Sequence, residues 1–241
     1  SYPAWSPDGK QLAYLRIPNI NNLLSFTAIK ESNPWSIRVL DMETMKAEEV
    51  WNSGTGPGSV VVWDLPAEAD RLWWTPSGQL VFPWEKNGWM QLYAVNPASG
   101  EVKHLTKGQG IVEKVKTSYK KDELLLTSNI GDIERRKIYS LDLNSLELED
   151  LSEKGNINWS PVRLEKGLAY LSATTTRPAW PYIRQNDGSE PLAEELFPQD
   201  FPKTLVKPLG LDLQAEDGFK TRAQLFLPPN HDATKKYPAV I

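Results

Sequence analysis

Trp5-Ser6-Pro7-Asp8-Gly9 and Trp74-Thr75-Pro76-Ser77-Gly78 are two copies of one cassette, each followed by a short apolar run, at 12–15 and at 80–82. A tryptophan, a Pro-x-Gly turn and then an alternating strand read as the inner hairpin of a β-propeller blade. The Gly supplies turn geometry that side chains resist, and the Trp packs between blades.

Working outward from the cassette, the third strand of each blade aligns as Ser36-Ile37-Arg38-Val39-Leu40-Asp41, Gln91-Leu92-Tyr93-Ala94-Val95-Asn96, Lys137-Ile138-Tyr139-Ser140-Leu141-Asp142 and Tyr182-Ile183-Arg184-Gln185. Leu92 to Ile138 is 46 residues and Ile138 to Ile183 is 45, the period of a four-stranded blade. Fourth strands recur at Val102-Lys103-His104-Leu105-Thr106 and Glu147-Leu148-Glu149-Asp150-Leu151-Ser152, with Leu105 and Leu151 again 46 apart. The first blade is longer, carrying residues 17–33 ahead of its third strand and Gly54-Thr55-Gly56-Pro57-Gly58 after its fourth. Both insertions are expected to be loops, including 23–30, which is too short for an unsupported helix.

Past Asp200 the repeat fades. Residues 209–215 and 220–227 flank Glu216-Asp217-Gly218 as a hairpin, and Tyr237-Pro238-Ala239-Val240-Ile241 reads as the opening of a buried strand. The fold expected is therefore all-β, a partial propeller of about four blades over 1–204, with the first strands of a second domain over 205–241. A partial ring leaves blade faces for further chain or for an oligomer to cover.

Composition agrees and excludes several classes. Ten Trp, eight Tyr and six Phe supply core area for short strands, while 19 Pro and 15 Gly suit a loop-rich chain. A net charge of −4, with no cationic run longer than Arg135-Arg136-Lys137, argues against nucleic acid as a partner. No stretch approaches the ~20 apolar residues that span a bilayer, so membrane insertion is not expected. With no cysteine, disulfides, thiol catalysis and thiolate metal sites are excluded. The compartment stays open, the periplasm or exterior being favoured over the cytoplasm. Ser1 is not an initiator and Tyr2-Pro3-Ala4-Trp5 already reads as strand, so chain upstream is expected.

Several segments together resemble the prolyl oligopeptidase family of serine peptidases, especially its bacterial dipeptidyl-aminopeptidase and dipeptidyl peptidase IV-like members. They are the first cassette, Pro34-Trp35-Ser36-Ile37, Val81-Phe82-Pro83-Trp84-Glu85-Lys86-Asn87-Gly88-Trp89, Gly131-Asp132-Ile133-Glu134-Arg135-Arg136, Arg177-Pro178-Ala179-Trp180-Pro181, and Glu216-Asp217-Gly218 with Gln224-Leu225-Phe226-Leu227-Pro228. The resemblance implies a propeller that covers an α/β-hydrolase domain and restricts it to short peptides. It further implies that the 205–241 segment begins that hydrolase domain and that peptide substrates are met through the parent enzyme. The family's Ser, Asp and His triad, with its G-x-S-x-G elbow, has no counterpart here, so no catalytic residue is assigned and this chain alone is expected to be inactive. The alternative is a TolB-like propeller scaffold that binds protein partners.

Candidate sites are few. Gly56-Pro57-Gly58-Ser59-Val60 holds Gly and Ser in the wrong order for an elbow and reads as a turn. His104 and His231, the two histidines, have no triad neighbours in sequence and suggest no metal. No cofactor motif occurs. Glu48-Glu49 alternate across a strand and so do not line one pocket as an acid-base pair, and Glu194-Glu195, late in the chain near the domain boundary, are not matched to the double glutamate of the resembled family. The loops joining second and third strands all leave a propeller on one face. On them Trp84, Glu85, Trp89, Arg135, Arg136 and Arg177 are the candidates to shape a substrate passage or meet the hydrolase domain. The competing reading is that the tryptophans pack between blades and the arginines pair with Glu85, Asp132 or Glu134.

Overall fold

Each cassette closes its hairpin by the same hydrogen bonds. In a computed structural model describing residues 3–17, 34–59, 71–185 and 188–240, the Ser6 N–H donates to Gln11 O (2.9 Å) and the Gln11 N–H returns to Ser6 Oγ (2.9 Å). Thr75 repeats this with Gln79 at 2.8 and 2.9 Å. The glycines that end the turns, Gly9 and Gly78, have φ of +71° and +79°. The expectation of a loop at 23–30 lies outside the described residues.

The described residues form four antiparallel four-stranded sheets, each a meander in chain order, of which the cassette hairpins open the first two. The first blade comprises β1 (Ala4–Trp5), β2 (Gln11–Arg16), β3 (Ser36–Asp41) and β4 (Ala47–Asn52), and the second β5 (Trp73–Trp74), β6 (Leu80–Trp84), β7 (Gln91–Val95) and β8 (Val102–His104). The third comprises β9 (Val112–Thr117), β10 (Glu123–Ser128), β11 (Lys137–Asp142) and β12 (Leu148–Asp150). The fourth comprises β13 (Ile157–Leu164), β14 (Gly167–Ala173), β15 (Trp180–Gln185) and β16 (Gly188–Pro191). A 3₁₀ turn at Glu194–Leu196 leads to a separate hairpin, β17 (Leu209–Gln214) and β18 (Lys220–Leu225). The fold is thus the nearly all-β, four-blade array that the repeat implies. The blade repeat has a chemical mark too. Ser53, Thr106 and Ser152 each follow an outer strand and accept the backbone N–H of Trp35, Leu92 and Ile138 at 3.1, 2.8 and 2.7 Å.

Blades bind one another through apolar seams. Trp35, Trp51, Phe82, Trp84 and Tyr93 fill the first seam, and Leu92, Leu124, Leu126, Tyr139 and Leu141 belong to the next. Leu125, Ile138, Leu168 and Tyr170 make a smaller third cluster. Strand β10 lies between two seams, so Leu124 and Leu126 face one cluster and Leu125 the other, which explains its unbroken apolar run. Polar ties reinforce the seams. The Trp74 indole donates to Ala4 O (2.9 Å), joining the second cassette to the first.

The later blades depart from the cassette. In the third, Ser118 keeps the backbone bond to Glu123 O (3.3 Å) without Trp or Gly beside it. In the fourth, Trp159-Ser160-Pro161 resembles a cassette start but is followed by Val162-Arg163 instead of Asp-Gly. A β-bulge forms there, with Ser160 at φ +53°, and the strand runs on to a turn before Gly167. The lengthened hairpin carries Arg163 to Glu123 of the third blade. Arg163 Nε donates to Glu123 Oε2 (3.0 Å) and Nη2 to Oε1, while the Ser140 hydroxyl donates to Oε1 (2.7 Å). Burial pushes the Glu123 carboxyl up, but the bonds from Arg163, Ser140 and Ser118 outweigh it and hold it below the ordinary glutamate value.

Residues 237–240 form no strand, contrary to the sequence expectation. No neighbouring strand pairs with them among the described residues. Instead the Tyr237 ring lies 5.3 Å from His231, and its hydroxyl accepts the Asp232 N–H (3.0 Å).

Candidate functional site

The second-to-third-strand connections at 85–90, 129–136 and 174–179 share one face of the blades by topology. The structure puts the six candidate residues in three different environments along it.

Trp84 ends β6 and is buried, 7% exposed. Its indole N–H donates to Gly58 O (3.0 Å), the same carbonyl that accepts the Trp35 indole (3.1 Å). Its ring meets Trp51 edge-on at 4.8 Å and Tyr93 at 5.2 Å, and Lys86 Nζ lies 5.0 Å from its centroid. Trp84 therefore packs between blades. Glu85 and Trp89, beyond it on the loop, are half-buried and remain within reach of solvent.

The role of the Gly56 to Ser59 turn follows from that geometry. Gly58 has φ +78°, and a Cβ built there would lie 2.5 Å from Trp84 Nε1 and 2.9 Å from Glu85 O. Only glycine lets the chain approach two indoles in this conformation.

The 129–136 loop is braced from below by the Tyr139 hydroxyl, which donates to Ile130 O (2.6 Å), and by Asn129, which donates to Ile133 O (3.2 Å). Arg135 pairs with Asp132 (3.0 Å), one of the partners anticipated from sequence, and Arg136 pairs with Glu113 on β9. Glu134, another partner anticipated from sequence, lies 3.9 Å from Arg135 and also reaches Arg222 of the β17–β18 hairpin (3.4 Å).

Arg177 occupies the third environment. Both terminal nitrogens bond the Glu194 carboxylate, one at 3.0 Å, and the guanidinium lies 4.3 Å from the Phe197 centroid. The Arg177 hydrogen bonds hold Glu194 below the ordinary carboxylate value. Phe197 in turn meets Trp180 (5.2 Å) and Phe201 (5.5 Å), and the Trp180 indole donates to Leu192 O (2.8 Å). Arg177 thus pins the segment leaving the fourth blade. Neither Glu113 nor Glu194 was anticipated as a partner, because each is set by strand register or chain reversal, not by nearness in sequence.

His104 pairs across β7–β8 with Tyr93, their rings stacked at 4.4 Å and 10°. Burial first, then Lys107 and Lys86, lower its pKa, while the Thr106 backbone works the other way. A histidine held neutral in the fold contributes stability above its unfolded pKa that is lost as pH falls through the folded value. His104→Phe keeps the stack and removes the titration. Urea unfolding midpoints of this variant are expected to vary less between about pH 7 and 5.5 than those of the parent chain.

Among the described residues, no group of three or more His, Asp or Glu side chains is placed to hold a metal ion. Clefts of about 1000 and 920 Å³ lie instead at equivalent positions between blades three and four and between blades one and two, on the cassette side. Their recurrence marks them as the wedge left by radiating blades.

Solved structures share this arrangement. Porphyromonas gingivalis dipeptidyl peptidase 4 aligns with a TM-score of 0.66 at 14% identity, over 98% of this chain and 32% of its own. A Mycobacterium tuberculosis puromycin-hydrolyzing peptidase gives 0.59 at 15% identity, over 92% and 33%, and a puromycin hydrolase 0.58 at 14%, over 92% and 32%. At such identities the likeness is one of fold, and the chain spans about a third of the length of these structures. No curated protein sequence matches it. A family model described as the dipeptidyl peptidase IV (DPP IV) N-terminal region does match, over residues 19–182, which span β3 to the start of β15. The chain belongs to the dipeptidyl peptidase IV N-terminal-region family, as a propeller portion of the prolyl oligopeptidase kind.

Proposed function

We propose that this chain is the non-catalytic propeller of a serine peptidase, and that its second-to-third-strand loops gate and position short peptides for a separate α/β-hydrolase domain. The observation that carries the reading is the β17–β18 hairpin. It sits beside the 129–136 loop through the Glu134–Arg222 pair. Leu209, Leu211, Leu213 and Leu225 line one of its faces and are 37–51% exposed. A two-stranded hairpin with a bare apolar face is not stable alone and calls for more sheet to pack on. In this reading, the hydrolase domain continues that sheet on the loop side of the propeller. Chemistry resides there: a serine attacks the scissile carbonyl as histidine takes its proton, the C–N bond breaks as histidine passes that proton to the departing amine, and water, again with histidine as base, hydrolyses the acyl enzyme and restores the serine.

Of the candidate residues, Arg136 is exposed and Trp89 half-buried, so both have surface to offer a passing peptide. In the intact peptidase, Trp89→Ala and Arg136→Ala are expected to change kcat/KM for longer peptides about three- to tenfold, leaving a single-residue chromogenic substrate unchanged. Equal kinetics on both substrate classes would reduce these loops to structural connections.

A further inference from the structure

The hairpin's two faces differ in kind. Opposite its leucines stand Asp212, Gln214, Lys220, Arg222 and Gln224, and from this polar side Arg222 reaches the third blade's loop. Arg222 bonds Asp212 through Nε (3.2 Å) and reaches Glu134 through Nη1 (3.4 Å). Glu134 lies 3.9 Å from Arg135, which bonds Asp132 at 3.0 Å. Charges therefore alternate in a line from the propeller loop to the hairpin: Asp132, Arg135, Glu134, Arg222, Asp212. Gly210 of the hairpin also lies beside Glu134, where a Cβ would make ordinary contact with Glu134 Oε1 at 3.9 Å.

We propose that this line of charges is an ionic latch that seats the hairpin on the third blade and opens with ionic strength. Its members are 28–85% exposed, Asp212 most of all. Exposed pairs are weak and lose most of their attraction as the screening length shrinks from ~10 Å at 0.1 M salt to ~3 Å at 1 M. The leucines face away from the blade and do not replace the lost attraction. The proposal rests on the reading above in one respect: if the hairpin begins the hydrolase domain, the latch sets how the propeller sits over it.

The absence of cysteine allows two unique labels, Ser145→Cys on the third blade and Asp217→Cys at the hairpin tip. Spin-label distances are then measured by double electron–electron resonance in the 241-residue chain. At about 50 mM NaCl a narrow distribution is expected, broadening about twofold at 1 M. Glu134→Gln and Arg222→Gln should each broaden it at low salt, and combining them should add nothing further. Unchanged tryptophan emission checks that the blades stay folded. A Glu134→Gln distribution as narrow as the parent's, or no response to salt, overturns the latch. That result leaves the gating role standing, because gating is read from kinetics of the intact peptidase.

Discussion

Gly58→Ala is expected to lower the stability of this chain by about 3–4 kcal/mol, the sum of a positive-φ cost near 1–2 kcal/mol and the disturbance of two buried indole hydrogen bonds. The new Cβ would stand 2.5 Å from Trp84 Nε1, with backbone of Glu85 and Lys86 at 2.9 and 3.0 Å, so the neighbours on that side are not flexible side-chain ends. Trp35 and Trp84 both donate to Gly58 O, and displacing the turn unseats both rings from the seam they share with Trp51. Gly78→Ala is the control. Its φ of +79° is the same, but nothing lies within 4 Å of the added carbon. It should cost only about 1 kcal/mol. Thermal unfolding followed by tryptophan emission separates the two, with a midpoint drop for Gly58→Ala of roughly 10 °C. Equal drops would mean that backbone conformation alone, and not the close approach, requires glycine.

The second large effect is expected at the junction of the third and fourth blades. Arg163→Ala leaves the Glu123 carboxylate, 8% exposed, with Ser140 but without its cation. Truncating one partner of a buried pair costs ~3–5 kcal/mol, and solvent in the adjoining cleft reduces this to about 2–4. Replacing both residues by leucine should restore most of the loss, since an apolar pair needs no compensation. The sign of the pH response follows from the depressed Glu123 value: the contribution is present above the unfolded glutamate pKa and lost as pH falls through the folded one. Arg163→Ala should therefore weaken acid sensitivity as well as lower the urea midpoint. If the double leucine variant is as unstable as Arg163→Ala, packing of the long hairpin, and not charge, joins these blades.

Repetition made the blades legible. The Trp-[Ser/Thr]-Pro-x-Gly cassette and the third strands carry their own turn chemistry and alternation, and these are local properties that tertiary contacts reinforced. Ser36–Asp41 and Lys137–Asp142 are strands with the bounds read from sequence. The hairpin at 209–225 was legible for the same reason, its Asp-Gly turn standing between two alternating runs. What sequence could not supply was the partner of each side chain. The Gly56 to Ser59 segment reads as a turn, but its use appears only when Trp35 and Trp84, 23 and 26 residues away, are brought to one carbonyl. Arg163 was missed although a signal existed, the cassette-like Trp159-Ser160-Pro161 lacking its Asp-Gly. That lengthened the hairpin and moved an arginine onto the neighbouring blade. Residues 237–240 were misread because an apolar run forms a strand only beside another strand, and pairing is not encoded in the run itself.

The most direct test of the account asks whether this chain holds any peptidase chemistry of its own. The purified 241-residue protein is incubated with a fluorophosphonate, which labels activated serines, and with aminoacyl and dipeptidyl chromogenic substrates. No labelled serine and no turnover are expected, because neither histidine stands in a recognisable triad with a serine and an acid. Covalent labelling of any serine in this chain, accompanied by substrate hydrolysis, would contradict the account.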